Sequence, residues 1–178
     1  QQAGGPLTML GYCIGGAMAT CCTALHTEGL IKNLVLLTTP IDFADAGPFG
    51  VWTRPEVFPL QELTSVFPAV PGAYPDIGSK LLQPLPASLG QFVRLEEKLR
   101  EPRFDRHGWQ AMFRWVNEGV AFPAGCYRQW IGEFYQHNKL VRGELVMDGR
   151  KVLLANIRCP ILNVVASSDV IAPRPTTS

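Results

Sequence analysis

No stretch of this chain approaches the roughly 20 consecutive apolar residues that a membrane-spanning helix needs. A strong charge of either sign is missing too: 16 Lys and Arg face 15 Asp and Glu, a net charge of +1. That balance gives no reason to expect nucleic acid or an anionic membrane surface as a partner. No G-x-S-x-G occurs, which excludes a serine esterase built on that elbow. The five cysteines are odd in number and scattered, with Cys21 and Cys22 adjacent, and no set has the spacing of zinc ligands. Free thiols in a reducing cytoplasm are the plain expectation. A signal peptide and an initiating methionine are both missing, so a fragment of a longer protein is expected.

What is present is ample apolar material. Hydrophobic residues make up 47% of the 178 residues and charged ones 17%, enough for a domain with a sizeable core. The segment 7–12 reads as a short buried strand and 15–25 as a helix rich in small residues. The segment 30–39 reads as a second buried strand, stopped by Pro40. Strand, helix and strand with short links predict a parallel βαβ unit.

From Pro40 the texture changes. Prolines and glycines without a sustained period predict loops and short helices between residue 42 and about 86. Helices are expected over 89–99, 107–116 and 125–138, the last with Tyr127, Trp130, Ile131, Phe134 and Tyr135 near helical spacing and facing the core. A hairpin is expected within 143–152 around Asp148-Gly149, a type I′ signal. The apolar segment 159–166 predicts a third strand, followed by Ser167-Ser168-Asp169 in a loop. The fold class is therefore α/β, with sheet strands flanked by helices. The core is expected in 1–43 and 151–178, separated by an insertion over 44–150 that is too long for an ordinary loop.

Gly11-Tyr12-Cys13-Ile14-Gly15 has the G-x-nucleophile-x-G spacing of a nucleophile elbow, with cysteine at its centre. A strand turning abruptly into a helix strains the middle residue and exposes its side chain. Glycines two places before and after are expected to remove the Cβ atoms that would clash. The helix N-terminus favours a thiolate, and the Ile14 N–H can donate to an oxyanion. At neutral pH a free thiol is only a few per cent ionised, so a histidine base oriented by a carboxylate is needed. Asp169, in the loop after the third strand, fits the acid in the chain order nucleophile, acid, histidine. His26, His107 and His137 all precede Asp169 and read as structural or solvated side chains. The catalytic histidine is therefore expected outside this sequence. Cys21, Cys22, Cys126 and Cys159 read as packing residues.

GYCIGG, KNLVLLTTPIDF, FRWVNE, YRQWIGEFYQHNKLVRGEL and IRCPILNVVASSDVIAP, in that order, resemble the polyhydroxyalkanoate synthases. The resemblance implies an α/β-hydrolase core with an inserted cap. It implies Cys13 as the nucleophile that takes a hydroxyacyl group from (R)-3-hydroxyacyl-CoA as a thioester, Asp169 as the acid, and a growing polyester as product. It further implies no cofactor, a homodimer formed partly through the cap, cytoplasmic polyester granules as location, and a second synthase subunit as partner. The chain departs from the family at Ala17, where threonine commonly continues the box, and at Val170, where histidine often follows the acid. The competing expectations are a dienelactone-hydrolase-like cysteine hydrolase, whose acid would follow the cysteine much sooner, and a non-catalytic family member. The isolated 178 residues are expected to be inactive.

Overall fold

The computed structural model describes residues 5–82 and 90–177. The expected helix start at Leu89 lies outside the described residues, as does part of the loop-rich stretch before it. Strand β1 (Leu7–Tyr12) leads through Cys13 into helix α1 (Ile14–Leu25), which returns to β2 (Ile31–Leu37). The strands pair in parallel from Leu7↔Ile31 to Tyr12↔Leu37, so the predicted βαβ unit is present. Strand β7 (Ile161–Val164) adds on the far side of β2, also in parallel, giving the sheet order β1-β2-β7. The result is a mixed α/β architecture with a parallel three-stranded sheet and helix α1 packed on β1 and β2.

One expectation fails. The sequence predicts a buried strand over 7–12, yet Leu10 is 62% and Tyr12 57% exposed, and Gly11 alone in the strand is buried. The reason is position: β1 is an edge strand in this sheet, whereas β2 lies between two strands and buries Ile31, Leu34 and Leu36. A run of apolar residues reports suitability for burial but not which strand is central. The core proper joins Ala19 of α1 to Leu34 and Leu36 of β2, with Met9, Ile157 and Cys159 packed against it.

The chain forms two compact units, Gln1–Leu60 with Arg128–Ser178, and Gln61–Tyr127. In the first unit, the short helix α2 (Gly47–Trp52) follows the exit of β2. Helix α7 (Ala124–Gln129) enters this unit and passes directly into a π-helical segment over Trp130–Gln136. A regular α-helix was expected there. The wider winding has a visible purpose, because it brings residues i, i+4 and i+5 onto one ring. Phe43 contacts Trp130, Phe134 and Tyr135 with centroid separations of 5.5, 5.8 and 4.7 Å, each near edge-to-face. Trp130, Ile131 and Phe134 are buried, as the core-facing reading required. Beyond this segment, β5 (Val146–Met147) and β6 (Arg150–Lys151) form the expected hairpin. Asp148 and Gly149 both have positive φ, 50° and 69°, as a type I′ turn demands.

The second unit holds α3 from its second residue (helix Leu60–Val66), β3 (Ala69–Val70), α4 (Ala73–Leu82), α5 (Gly90–Leu99), α6 (Arg106–Asn117) and β4 (Phe122–Pro123), the last antiparallel to β3. Asp105 caps α6, its carboxylate accepting the Gly108 N–H at 2.9 Å. Among the described residues no helix is long and apolar enough to cross a membrane.

Candidate active site

The site begins at the junction of β1 and α1. Cys13 lies at φ 52° and ψ −126°, a backbone region that side-chain-bearing residues rarely occupy. The junction is held on both sides. The Cys13 N–H donates to the Leu37 carbonyl at 3.0 Å, and the Cys13 carbonyl accepts from Gly16 and Ala17 at 2.9 and 3.3 Å. The helix thus starts immediately after a strained residue tied to the neighbouring strand, which is the geometry of a nucleophile elbow.

The glycines act differently from the expectation drawn from their spacing. A Cβ on Gly11 would overlap the Gly16 backbone and stand 2.6 Å from the Gly15 carbonyl oxygen. A Cβ on Gly15, by contrast, would meet nothing within 4 Å. It is Gly16 that is crowded: a Cβ there would run into the Thr39 side chain, 2.6 Å from its Cγ2. Gly15 faces outward from the first turn, whereas Gly16 faces the exit loop of β2. The box is therefore closed by Gly11 and Gly16.

Burial raises the Cys13 thiol above its ordinary pKa, and this outweighs the hydrogen bond from the Ile14 N–H, which lowers it. The charge of Asp169 raises it further, so the two sequence-predicted residues do lie within electrostatic reach of each other. The elbow by itself does not generate a thiolate. Asp169 sits in the loop beyond β7, where its Oδ1 accepts the N–H groups of Ile171 and Ala172 at 2.8 and 2.9 Å. Oδ2 has no donor among the described residues.

None of the three histidines is among the groups acting on Cys13. His26 follows the C-terminal end of α1, with Nδ1 2.9 Å from the Cys22 carbonyl, and His107 and His137 are exposed. Cys21 is buried in α1, whereas Cys126, expected to pack, is exposed. Spacing alone gave that residue no face. Among the described residues no cluster of three His, Cys, Asp or Glu is disposed to hold a metal ion. An open cavity of about 390 Å³ lies beyond the exit of β2, with Phe43, Arg54, Tyr135, His137 and Arg142 in its wall.

Sequence reasoning missed two features here. Asn138 (φ 47°) and Asp42 are joined by a 2.7 Å hydrogen bond across 96 positions, and the loop between β2 and α2 carries both Thr39 and Asp42. A left-handed asparagine has only a faint local signal, and a pair so distant has none.

An α/β protein with a strained cysteine at a strand-to-helix elbow is the class these features define. No family model matches the chain. It is 32% identical over 170 residues to a poly(3-hydroxyalkanoate) polymerase subunit PhaC of Haloferax mediterranei, covering 94% of this chain and 34% of that protein. The subunit of the same name from Haloarcula marismortui is likewise 32% identical, covering 94% of this chain and 35% of that protein. The one from Synechocystis is 28% identical over 173 residues, covering 94% and 45%. Over almost all of its length the chain is similar to these poly(3-hydroxyalkanoate) polymerase subunits, and it spans between a third and a half of their length.

Proposed function

We propose that the chain is the nucleophile-bearing part of a polyhydroxyalkanoate synthase with an α/β-hydrolase core. The observation that carries the reading is Cys13 at φ 52°, clasped between Gly11 and Gly16 and within reach of the Asp169 charge. The names of the similar proteins supply the substrate class.

In this reading a histidine outside this chain, oriented by Asp169, takes the proton of the Cys13 thiol. The thiolate attacks the carbonyl carbon of an (R)-3-hydroxyacyl-CoA thioester. The tetrahedral oxyanion accepts the Ile14 N–H, and the C–S bond to CoA breaks as the new C–S bond to Cys13 is kept. The proton passes to the departing CoA sulfur. A hydroxyl group then attacks the Cys13 thioester; its proton passes through the base to the Cys13 sulfur as the C–S bond breaks, and the new ester bond extends the polyester by one unit. Pulling the thiol pKa down falls to the base, because burial and the Asp169 charge both push it up. The reading also carries a homodimer with a contribution from the insertion, use of a second synthase subunit, and residence at polyester granules in the cytoplasm. No cofactor takes part.

The test is CoA release from (R)-3-hydroxybutyryl-CoA by the full-length gene product, beside its Cys13→Ala variant. Release that disappears in the variant supports both the reaction and the nucleophile. A folded full-length protein that releases no CoA, alone or with a partner subunit, would overturn the reading in favour of a non-catalytic family member.

A further inference from the structure

The loop that leaves β2 touches both halves of the candidate site. At its start the Leu37 carbonyl accepts the Cys13 N–H at 3.0 Å, and the Thr39 side chain lies over Gly16. At its end the N–H groups of Ile41 and Asp42 donate to the Thr176 carbonyl at 2.6 and 3.1 Å. Thr176 and Thr177 are buried and close the segment that begins with the Asp169 turn, and Asn163 of β7 donates its side-chain amide to the Thr177 carbonyl. The nucleophile and the acid are therefore registered against the same six-residue stretch, 37–42.

That stretch is fixed from one further direction. Asn138, just past the π-helical segment, donates Nδ2 to Asp42 Oδ1 at 2.7 Å and accepts the Phe43 N–H on its own Oδ1 at 2.9 Å. The amide orientation follows from its partners: a backbone N–H can only donate and an ionised carboxylate can only accept. The same Asp42 oxygen accepts the Ala44 N–H at 2.9 Å, so the Asp42 side chain is held by its own loop and by Asn138 together. Asn138 adopts φ 47°, a conformation asparagine tolerates better than most residues. Its backbone N–H donates to Phe134 at 2.9 Å.

We propose that Asn138 and Asp42 form a positioning bridge that holds the β2 exit loop, and through it sets Cys13 and Asp169 in register. Neither residue touches the reacting atoms. The inference rests on the proposed acyl transfer for its rate readout but not for its structural one.

The experiment uses the full-length gene product in four forms: unsubstituted, Asn138→Asp, Asp42→Asn, and the reciprocal pair Asp42→Asn with Asn138→Asp. Asn138→Asp sets two carboxylates against each other, whereas the reciprocal pair restores one donor and one acceptor with the original charge. The Asp at 138 still accepts the Phe43 N–H, whereas the Asn at 42 donates its amide to that carboxylate from the place where the Asp42 oxygen accepted the Ala44 N–H, so the pair regains the bridge but gives up that one turn hydrogen bond. Two readouts are taken: kcat and KM for CoA release, and the rate at which iodoacetamide labels Cys13, which needs no acyl substrate. In Asn138→Asp we expect kcat to fall roughly tenfold to a hundredfold with little change in KM. Labelling of Cys13 slows in parallel, and the reciprocal pair brings both rates part of the way back to those of the unsubstituted protein. Unchanged rates in a folded Asn138→Asp protein would overturn the proposal. So would a folded reciprocal pair no faster than the single variant. Should Asn138→Asp fail to fold, Asn138→Gly keeps the backbone conformation while deleting the bridge, and must show the same two losses. If the unsubstituted protein releases no CoA, the synthase reading fails while the labelling comparison still decides the bridge.

Discussion

The Thr39 side chain occupies the space that a Cβ on Gly16 would need, with Cγ2 2.6 Å from that position. Thr39 is fully buried, and its hydroxyl donates to the Leu37 carbonyl at 3.3 Å, so it has little freedom to retreat. The exit loop of β2 is thus packed directly onto the first turn of α1, with glycine as the spacer.

This contact separates two neighbouring glycines, of which the motif includes only the first, Gly15. Gly16→Ala should destabilise the protein by about 1–3 kcal/mol through overpacking and lower CoA release with it. Gly15→Ala should leave stability within about 0.5 kcal/mol, because the added methyl meets open space. Thermal unfolding of the two variants of the full-length protein checks this. Equal losses at both positions would mean that the spacing of the box, not the Thr39 contact, sets its glycine requirement.

A second prediction separates the charge of Asp169 from its hydrogen bonds. Oδ1 accepts the Ile171 and Ala172 N–H groups, and an asparagine carbonyl can do the same. Asp169→Asn should therefore keep the loop and most of the stability. It should nevertheless lower CoA release by ~10⁴-fold, the cost of the corresponding carboxamide in a serine-protease triad. Asp169→Ala should lose the activity and also about 0.5–1.5 kcal/mol of stability, since two backbone donors, one of them exposed, exchange their acceptor for water. Near-normal turnover in Asp169→Asn would remove Asp169 from the acid role.

The strand–elbow–helix–strand order was legible because it is local. Apolar runs over 7–12 and 30–39, a glycine-bounded cysteine and an Asp-Gly turn each carry their own backbone requirement, and the structure shows all of them. Which strand would be central was not legible, because Leu10 and Leu34 look alike until the sheet order is known. The π winding at Trp130–Gln136 was hidden for a related reason: it answers to Phe43, almost a hundred positions earlier. The motif singles out Gly15, and only the contact with Thr39 shows that Gly16 is the constrained glycine. Cys13 and Asp169 could be named as candidates from chain order. Asn138 could not, since its partner Asp42 is fixed only by the fold.

The last prediction concerns a thiol outside the site. Cys21 is buried in α1, and burial pushes its pKa up to about 11. An unfolded cysteine titrates near 8.5, so between about pH 8.5 and 11 the unfolded chain binds fewer protons than the folded one. Stability is then fully present below the unfolded pKa and declines as pH rises through this window. The decline from one such thiol is at most about 1.4 kcal/mol per pH unit. Cys13, whose pKa is also raised, adds to the slope in the same direction. Cys21→Ala removes one of these thiol contributions and should make the midpoint of urea unfolding fall less steeply between pH 8.5 and 10. Such a variant starts from a lower stability at pH 7, because a methyl replaces a packed thiol, so the two curves should converge as the pH rises. Parallel curves would show that Cys21 titrates normally and is reached by water in the folded protein.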